Sequence, residues 1–266
     1  MATPRTLVLT GDGINCDEET AYAFEKAGGY AKRVHVNDLI GRRENLMNYQ
    51  ILAFPGGFSY GDDTGAGVAL ANKIRNNLFD DIQAFVAADK LAIGICNGFQ
   101  VMVNLGLLPA TNNEYGKRQS ALLHNDSARY IDRWVDLECT NHSVWTKGLE
   151  QVSFPIAHGE GKFYAKHTDL EAMKEKNLIA ATYVHGEICE HESLPANPNG
   201  SLEDIAAISD ESGRLIGMMP HPERAVHFTQ LPHWTLLREQ LQRKGKPTPQ
   251  YASGIHIFKN GVEYFK

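Results

Sequence analysis

The sequence has no CxxC pair; its four cysteines, Cys16, Cys96, Cys139 and Cys189, are scattered along 266 residues. That spacing argues against a disulfide framework and fits a reducing compartment. No stretch approaches the roughly 20 apolar residues of a membrane span, and the opening MATPRTLVLTGDG has too short an apolar run for a signal peptide. A cytoplasmic protein with no membrane partner is expected. Basic residues are short as well: 26 Lys and Arg against 32 Asp and Glu give a formal charge of −6, so a nucleic-acid partner is not expected. Internal repeats and low-complexity tracts are missing too, and one main domain is the default for this length.

What is present is alternation. RTLVLT (5–10), KRVHV (32–36), YQILAFP (49–55) and LAIGIC (91–96) read as strands, separated by helical stretches over about 17–27 and 72–88. Strands separated by helices predict an α/β fold, an open and mostly parallel sheet with helices on both faces. The second half is richer in strands: RWVDLECT, SFPIAHG, LIAATYVHG, DIAAISD and LIGMMPHPE. A helix, PHWTLLREQLQR, then runs to about Arg243, and a Lys, Gly and Pro linker leads into an alternating apolar tail. The expected division is a main domain over 1–243 and a C-terminal extension over 244–266, docked on the core or on a partner.

Ligands collect at the carboxyl ends of parallel strands. Two glycine-bearing strand ends point there, FPGGFSYGDD and GICNGF. In the second, Gly94-Ile95-Cys96-Asn97-Gly98 has the pattern of a nucleophile elbow with Cys in place of Ser. The flanking glycines permit a tight turn, and the helix beginning after it offers unpaired N–H groups and a positive dipole end, the setting a nucleophilic sulfur needs. The bland reading, a small buried cysteine, is weakened by those neighbours.

A nucleophile needs a base and a group to orient it. In GMMPHPERAV, His221 and Glu223 are two apart just past a strand, so in extended chain the carboxylate can hold one imidazole nitrogen while the other points at the thiol. His158 and His185 compete as bases; His221 is preferred because its orienting acid is local, two residues on across a proline that limits the backbone. The PGGF loop offers backbone N–H groups of Gly57 and Phe58, which with that of Asn97 form a candidate oxyanion site. HGEICEHE (185–192) matches no structural zinc spacing and reads as a polar loop, so no metal site is expected there. Cys16, in NCDEE, has acidic neighbours and no glycine on its helix side, which favours a structural or interface role.

Together, Gly94 to Gln100, His221-Pro222-Glu223 and Pro55-Gly56-Gly57-Phe58 resemble a class I (triad-type) glutamine amidotransferase domain, over residues 5 to about 240. GINCDEE, FPGGFSYGDD, IAHGEGKF and NPNGSLEDIAAI narrow the resemblance to the family of glutaminase subunits of phosphoribosylformylglycinamidine synthase. It implies a flavodoxin-like fold in which Cys96 attacks the side-chain amide of glutamine, His221 shuttles protons and Glu223 orients His221. It also implies that Gly57 and Asn97 line the oxyanion hole, and that Phe58 and Gln100 contact the bound glutamine.

The implied partners are glutamine, a synthetase subunit that makes formylglycinamidine ribonucleotide in purine biosynthesis, and a small accessory subunit. The implied cofactors, ATP and Mg, belong to the synthetase, in keeping with the lack of a GxxxxGK[ST] loop in this chain. Two features depart from the family pattern: Ile14 in the first glycine loop, where a small or hydroxylated residue is expected, and the tail after about residue 243. Two other readings stay open at this point, a cysteine amidotransferase of another pathway and a catalytically silent glutamine-binding subunit.

Overall fold

The computed structural model describes residues 3–266. Among the described residues, eleven strands and eight α-helices follow one another. β1 (Arg5–Thr10), α1 (Asp17–Lys26), β2 (Tyr30–His35), α2 (Val36–Ile40), β3 (Ile51–Phe54), α3 (Val68–Ala87), β4 (Leu91–Ile95) and α4 (Asn97–Leu105) make up the alternating first part. The second part comprises β5 (Ser120–Leu123), β6 (Ile131–Cys139), β7 (Gln151–His158), β8 (Lys162–Ala165), α5 (His167–Glu175), β9 (Ile179–Val184) and α6 (Glu187–Glu192). β10 (Ile205–Ser209), β11 (Leu215–Met218), α7 (Trp234–Arg243) and α8 (Gly254–Glu263) complete it.

Nine strands form one sheet in the order β2-β1-β3-β4-β11-β10-β9-β6-β7, and β5 pairs with β8 in a separate ribbon. The first five are parallel throughout, with the 2-1-3-4-5 order of flavodoxin-like folds. β3, β4 and β11 are buried along their whole length, which is why they read as continuous apolar runs rather than alternating ones. From β11 onward the pairings are antiparallel. The crossovers β1-α1-β2 and β3-α3-β4 leave the sheet centre in opposite directions, so right-handed connections put α1 and α3 on opposite faces.

The antiparallel arm curls back on the parallel half. β7 is five places from β4 in the sheet order, yet its Pro155 carbonyl accepts the His221 amide at 2.8 Å. Its Ala157 carbonyl also lies 3.6 Å from the Cys96 sulfur.

Two segments differ from their sequence-based expectation. HGEICEHE contains helix α6 rather than a polar loop, because Cys189 is fully buried and its amide donates to Asp136 Oδ2 at 2.9 Å. The tail ends in a helix, not an extended run: Ile255, Ile257, Phe258 and Val262 of α8 are fully buried in the main core. Phe258 meets Phe24 of α1 edge-on at 5.0 Å, and Asn260 Nδ2 donates to the carbonyls of Trp145 and Lys147 at 2.9 and 2.8 Å. The apolar face of this segment is therefore covered by its own chain.

Candidate active site

Four neighbouring parallel strands, β1, β3, β4 and β11, bring their carboxyl ends to one place. The loop Gly11 to Cys16 follows β1, Pro55 to Phe58 follows β3, Cys96 follows β4, and His221 with Glu223 follows β11.

Cys96 has φ +52° and ψ −108°, a conformation disfavoured for a residue with a Cβ and one that turns the chain from strand to helix in a single step. The turn depends on Gly98: a methyl group there would sit 1.8 Å from the carbonyl oxygen of Phe54. The Cys96 amide donates to the Met218 carbonyl at 2.8 Å, which ties the elbow to the strand that carries His221.

The imidazole of His221 is buried, and its Nδ1 lies 2.5 Å from Glu223 Oε1. With a carboxylate there, Nδ1 carries the proton and donates it, which directs Nε2 away from Glu223. Burial works against a charge on the ring, but the Glu223 carboxylate and the nearby sulfurs of Cys96 and Cys16 outweigh it. The pKa of His221 is raised well above its ordinary 6.5. Among the described residues Nε2 has no partner at full hydrogen-bond geometry, although both sulfurs are close enough to favour its protonated form.

The PGGF loop is zipped to the first glycine loop. Phe58 N–H donates to the Gly13 carbonyl at 2.8 Å, and the amides of Asn15 and Cys16 donate to the Gly56 carbonyl at 3.3 and 3.2 Å. Ile14 bridges Gly57 in the same pairing. The Phe58 amide, one of the expected oxyanion donors, is therefore already engaged. The amides of Gly57 and Asn97 donate to no protein acceptor among the described residues, and Asn97 opens α4, where N–H groups lack intrahelical partners.

Gln100 is buried, its amide donating to the Glu160 carbonyl at 2.5 Å and accepting from Asn97 Nδ2 at 2.9 Å. Asn97 Oδ1 in turn accepts the Ser59 amide at 3.2 Å. These two side chains thus brace the elbow against the loops around it. The Phe58 ring stands exposed, 6.1 Å from that of Tyr130. Of the competing bases, His185 is exposed on a loop. His158 is buried against Asn125 Oδ1 at 3.1 Å, and burial, helped by the charge of His221, lowers its pKa to about 4.

Sequence reasoning gave Cys16 a structural or interface role and did not place it beside His221. Its sulfur, a ring nitrogen of His221 and a carboxylate oxygen of Glu223 all lie within 4.8 Å of one another. Such a group is close enough to share a metal ion, but Nδ1 of His221 is held by Glu223 and the Arg224 guanidinium donates to Cys16 Sγ at 3.0 Å. A cation beside that guanidinium would be repelled, and the arrangement suits hydrogen bonding instead.

A family model described as a CobB/CobQ-like glutamine amidotransferase domain matches residues 3–265. The phosphoribosylformylglycinamidine synthase subunit PurQ of Methanococcus maripaludis is 49% identical over 265 residues, covering 98% of this chain and 97% of the relative. The chain belongs to the PurQ family of glutamine amidotransferases. PurQ of Dehalococcoides mccartyi is 42% identical over 266 residues, covering 99% and 98% of the two chains. A chain of the PurLQS structure from Thermotoga maritima superposes over 100% of both chains with a TM-score of 0.72 and 30% identity. The family match covers the terminal helix α8 as well as the sheet.

Proposed function

We propose that the chain is the glutaminase subunit of phosphoribosylformylglycinamidine synthase. It hydrolyses glutamine at Cys96 and delivers ammonia to a synthetase subunit, which uses ATP and Mg to convert formylglycinamide ribonucleotide to formylglycinamidine ribonucleotide. The observation that carries this reading is the meeting of a strained cysteine elbow with a buried, carboxylate-bound imidazole at the ends of adjacent strands β4 and β11.

In this reading the Cys96 sulfur attacks the side-chain carbonyl carbon of glutamine while His221 holds the thiol proton. Charge develops on the carbonyl oxygen, toward which the free amides of Gly57 and Asn97 are available as donors. His221 then gives its proton to the departing nitrogen, the C–N bond breaks, and ammonia leaves a glutamyl thioester on Cys96. Water, deprotonated by His221, cleaves the thioester to glutamate and restores the thiol. Glu223 keeps the ring oriented and stabilises its charged state in both halves.

Ammonia loses its nucleophilicity on protonation in water, so a closed route to the synthetase has a chemical purpose. A small accessory subunit completes the proposed assembly. The four free thiols suit the cytoplasm.

The test is glutamate release from glutamine by the full chain, alone and with its synthetase subunits, formylglycinamide ribonucleotide and ATP. Stimulation by the partners that is lost in Cys96→Ala is the expected result. Hydrolysis surviving in Cys96→Ala would move the nucleophile elsewhere, and hydrolysis indifferent to the partners would move the chain to another pathway.

A further inference from the structure

Cys16 takes no part in the reaction as written, yet it is fixed in place on every side. Its amide donates to the Gly56 carbonyl, and its own carbonyl accepts the Thr20 hydroxyl at 2.6 Å at the start of α1. Its sulfur receives the Arg224 guanidinium at 3.0 Å and donates to Asn15 Oδ1 at 3.2 Å. Arg224 is in turn 3.5 Å from Glu19 on α1. A surface cysteine of no consequence needs none of this.

What the sulfur faces is the His221 ring. A methyl group placed on Gly56 would lie 2.8 Å from His221 Cε1, 3.1 Å from Cys16 Sγ and 3.4 Å from Cys96 Cβ, so three side chains close around one bare glycine. Glu223 controls the Nδ1 edge of the ring and leaves the tilt at the other edge open. There the nearby side chains are Cys96, which must be free to react, and Cys16, which is already held.

We propose that Cys16 is a positioning residue for His221: its sulfur, anchored by Arg224 and Asn15, is the wall and second polar contact that keeps the imidazole aimed at Cys96. The inference rests on the reading of Cys96 and His221 as the reacting pair. Sulfur suits the task because it is large enough to fill the gap beside Gly56, and its lone pairs can receive both the guanidinium and the ring. The charged or titratable groups that face His221 are Glu223 from its own turn and Cys96 from the β4–α4 corner. Cys16 with Arg224 behind it, His158 at the end of β7 and Tyr130 before β6 complete the set.

The test measures glutamate release by the full chain in its synthetase complex, with kcat and KM determined across pH for Cys16→Ala, Cys16→Ser and Cys96→Ala, each checked for cooperative thermal unfolding. Cys16→Ala is expected to lower kcat roughly tenfold with KM little changed, as for a misaimed base. Its alkaline limb should move to lower pH, because a contact that favours the ring proton is gone. Cys16→Ser should recover most of kcat and return the limb toward the wild-type position. Cys16→Ala with a wild-type kcat and pH profile, beside an inactive Cys96→Ala, overturns the proposal and leaves the triad standing. Equal damage in the Ser and Ala variants with an unmoved limb also overturns it, as packing alone. Should Cys16→Ala not fold, Cys16→Val, which fills the gap without a lone pair, takes its place: a lowered kcat with the limb at lower pH is expected, and a wild-type kcat and pH profile overturns the proposal. An active Cys96→Ala instead overturns the reading of the triad itself.

Discussion

His221 Nδ1 lies 2.5 Å from a carboxylate oxygen of Glu223, two residues along the chain and across a proline that fixes the turn. Burial alone would strip the imidazole of its proton, and this carboxylate is the main reason the ring keeps it. A raised folded-state pKa means that the pair stabilises the fold fully below the ordinary 6.5 and that this contribution fades as pH rises through the folded value.

Glu223→Gln should therefore drop the His221 pKa below its ordinary range, leaving the ring neutral at pH 7 and unable to protonate departing ammonia. The expected loss in kcat is about 10²-fold or more, with the alkaline limb moved to lower pH. Titration of the His221 ring protons by NMR checks the cause. A ring that still titrates well above 6.5 in the variant would show that Glu223 is not what holds the charge.

His158 carries the opposite sign. Its folded-state pKa of about 4 lies below the ordinary 6.5, so between those values the unfolded chain binds a proton that the folded chain refuses. Stability should fall on acidification through that window by up to about 1.4 kcal/mol per pH unit. His158→Gln keeps a donor for Asn125 and removes the titration. Urea unfolding at pH 5 and pH 7 should show a smaller difference for the variant than for the wild type; equal differences would sink the assignment.

Gly56→Ala tests how tightly the ring is confined. The added methyl group would stand 2.8 Å from His221 Cε1, and the ring, held by Glu223 and walled by Cys16, must tilt to make room. A displacement of this kind costs about 10²-fold in rate when it misplaces a reacting group. Unfolding should change far less than hydrolysis. A variant with wild-type kcat would mean that the ring has more freedom than its surroundings suggest.

The elbow and the His221–Glu223 pair were legible because each is local: glycines beside a strand-end cysteine, and an acid two residues from a histidine across a proline. Cys16 was not, because its partners, Gly56, His221 and Arg224, come from other parts of the chain. Knowing that β1 and β3 are neighbours would have brought GINC and PGGF together, since loops at the ends of adjacent parallel strands meet. The approach of β7 to Cys96 was equally hidden, since the curl of the antiparallel arm has no signature in strand composition. In the tail, Ile255 and Ile257 alternate as a strand would, whereas Phe258, Gly261, Val262 and Phe265 follow helical spacing. The period-2 start drew attention from the period-3.6 remainder.

The tail also carries the last prediction. Four large apolar side chains of α8, Ile255, Ile257, Phe258 and Val262, are fully buried. At roughly 1.5–3 kcal/mol each, their burial is comparable to the whole stability of a typical domain, about 5–15 kcal/mol. The helix also touches the site from behind: the Gly254 amide donates to the Ala225 carbonyl at 2.9 Å, and a side chain at Gly254 would meet the Pro222 carbonyl at 2.1 Å. It therefore supports the turn that holds His221 and Glu223. Deletion after Arg243 should abolish cooperative unfolding rather than merely weaken contact with a partner. Phe258→Ala should cost about 3–5 kcal/mol while leaving a folded chain with reduced hydrolysis. Calorimetry and glutamate release on both variants check this, and a deletion that unfolds cooperatively at the wild-type temperature would make the segment a true appendage.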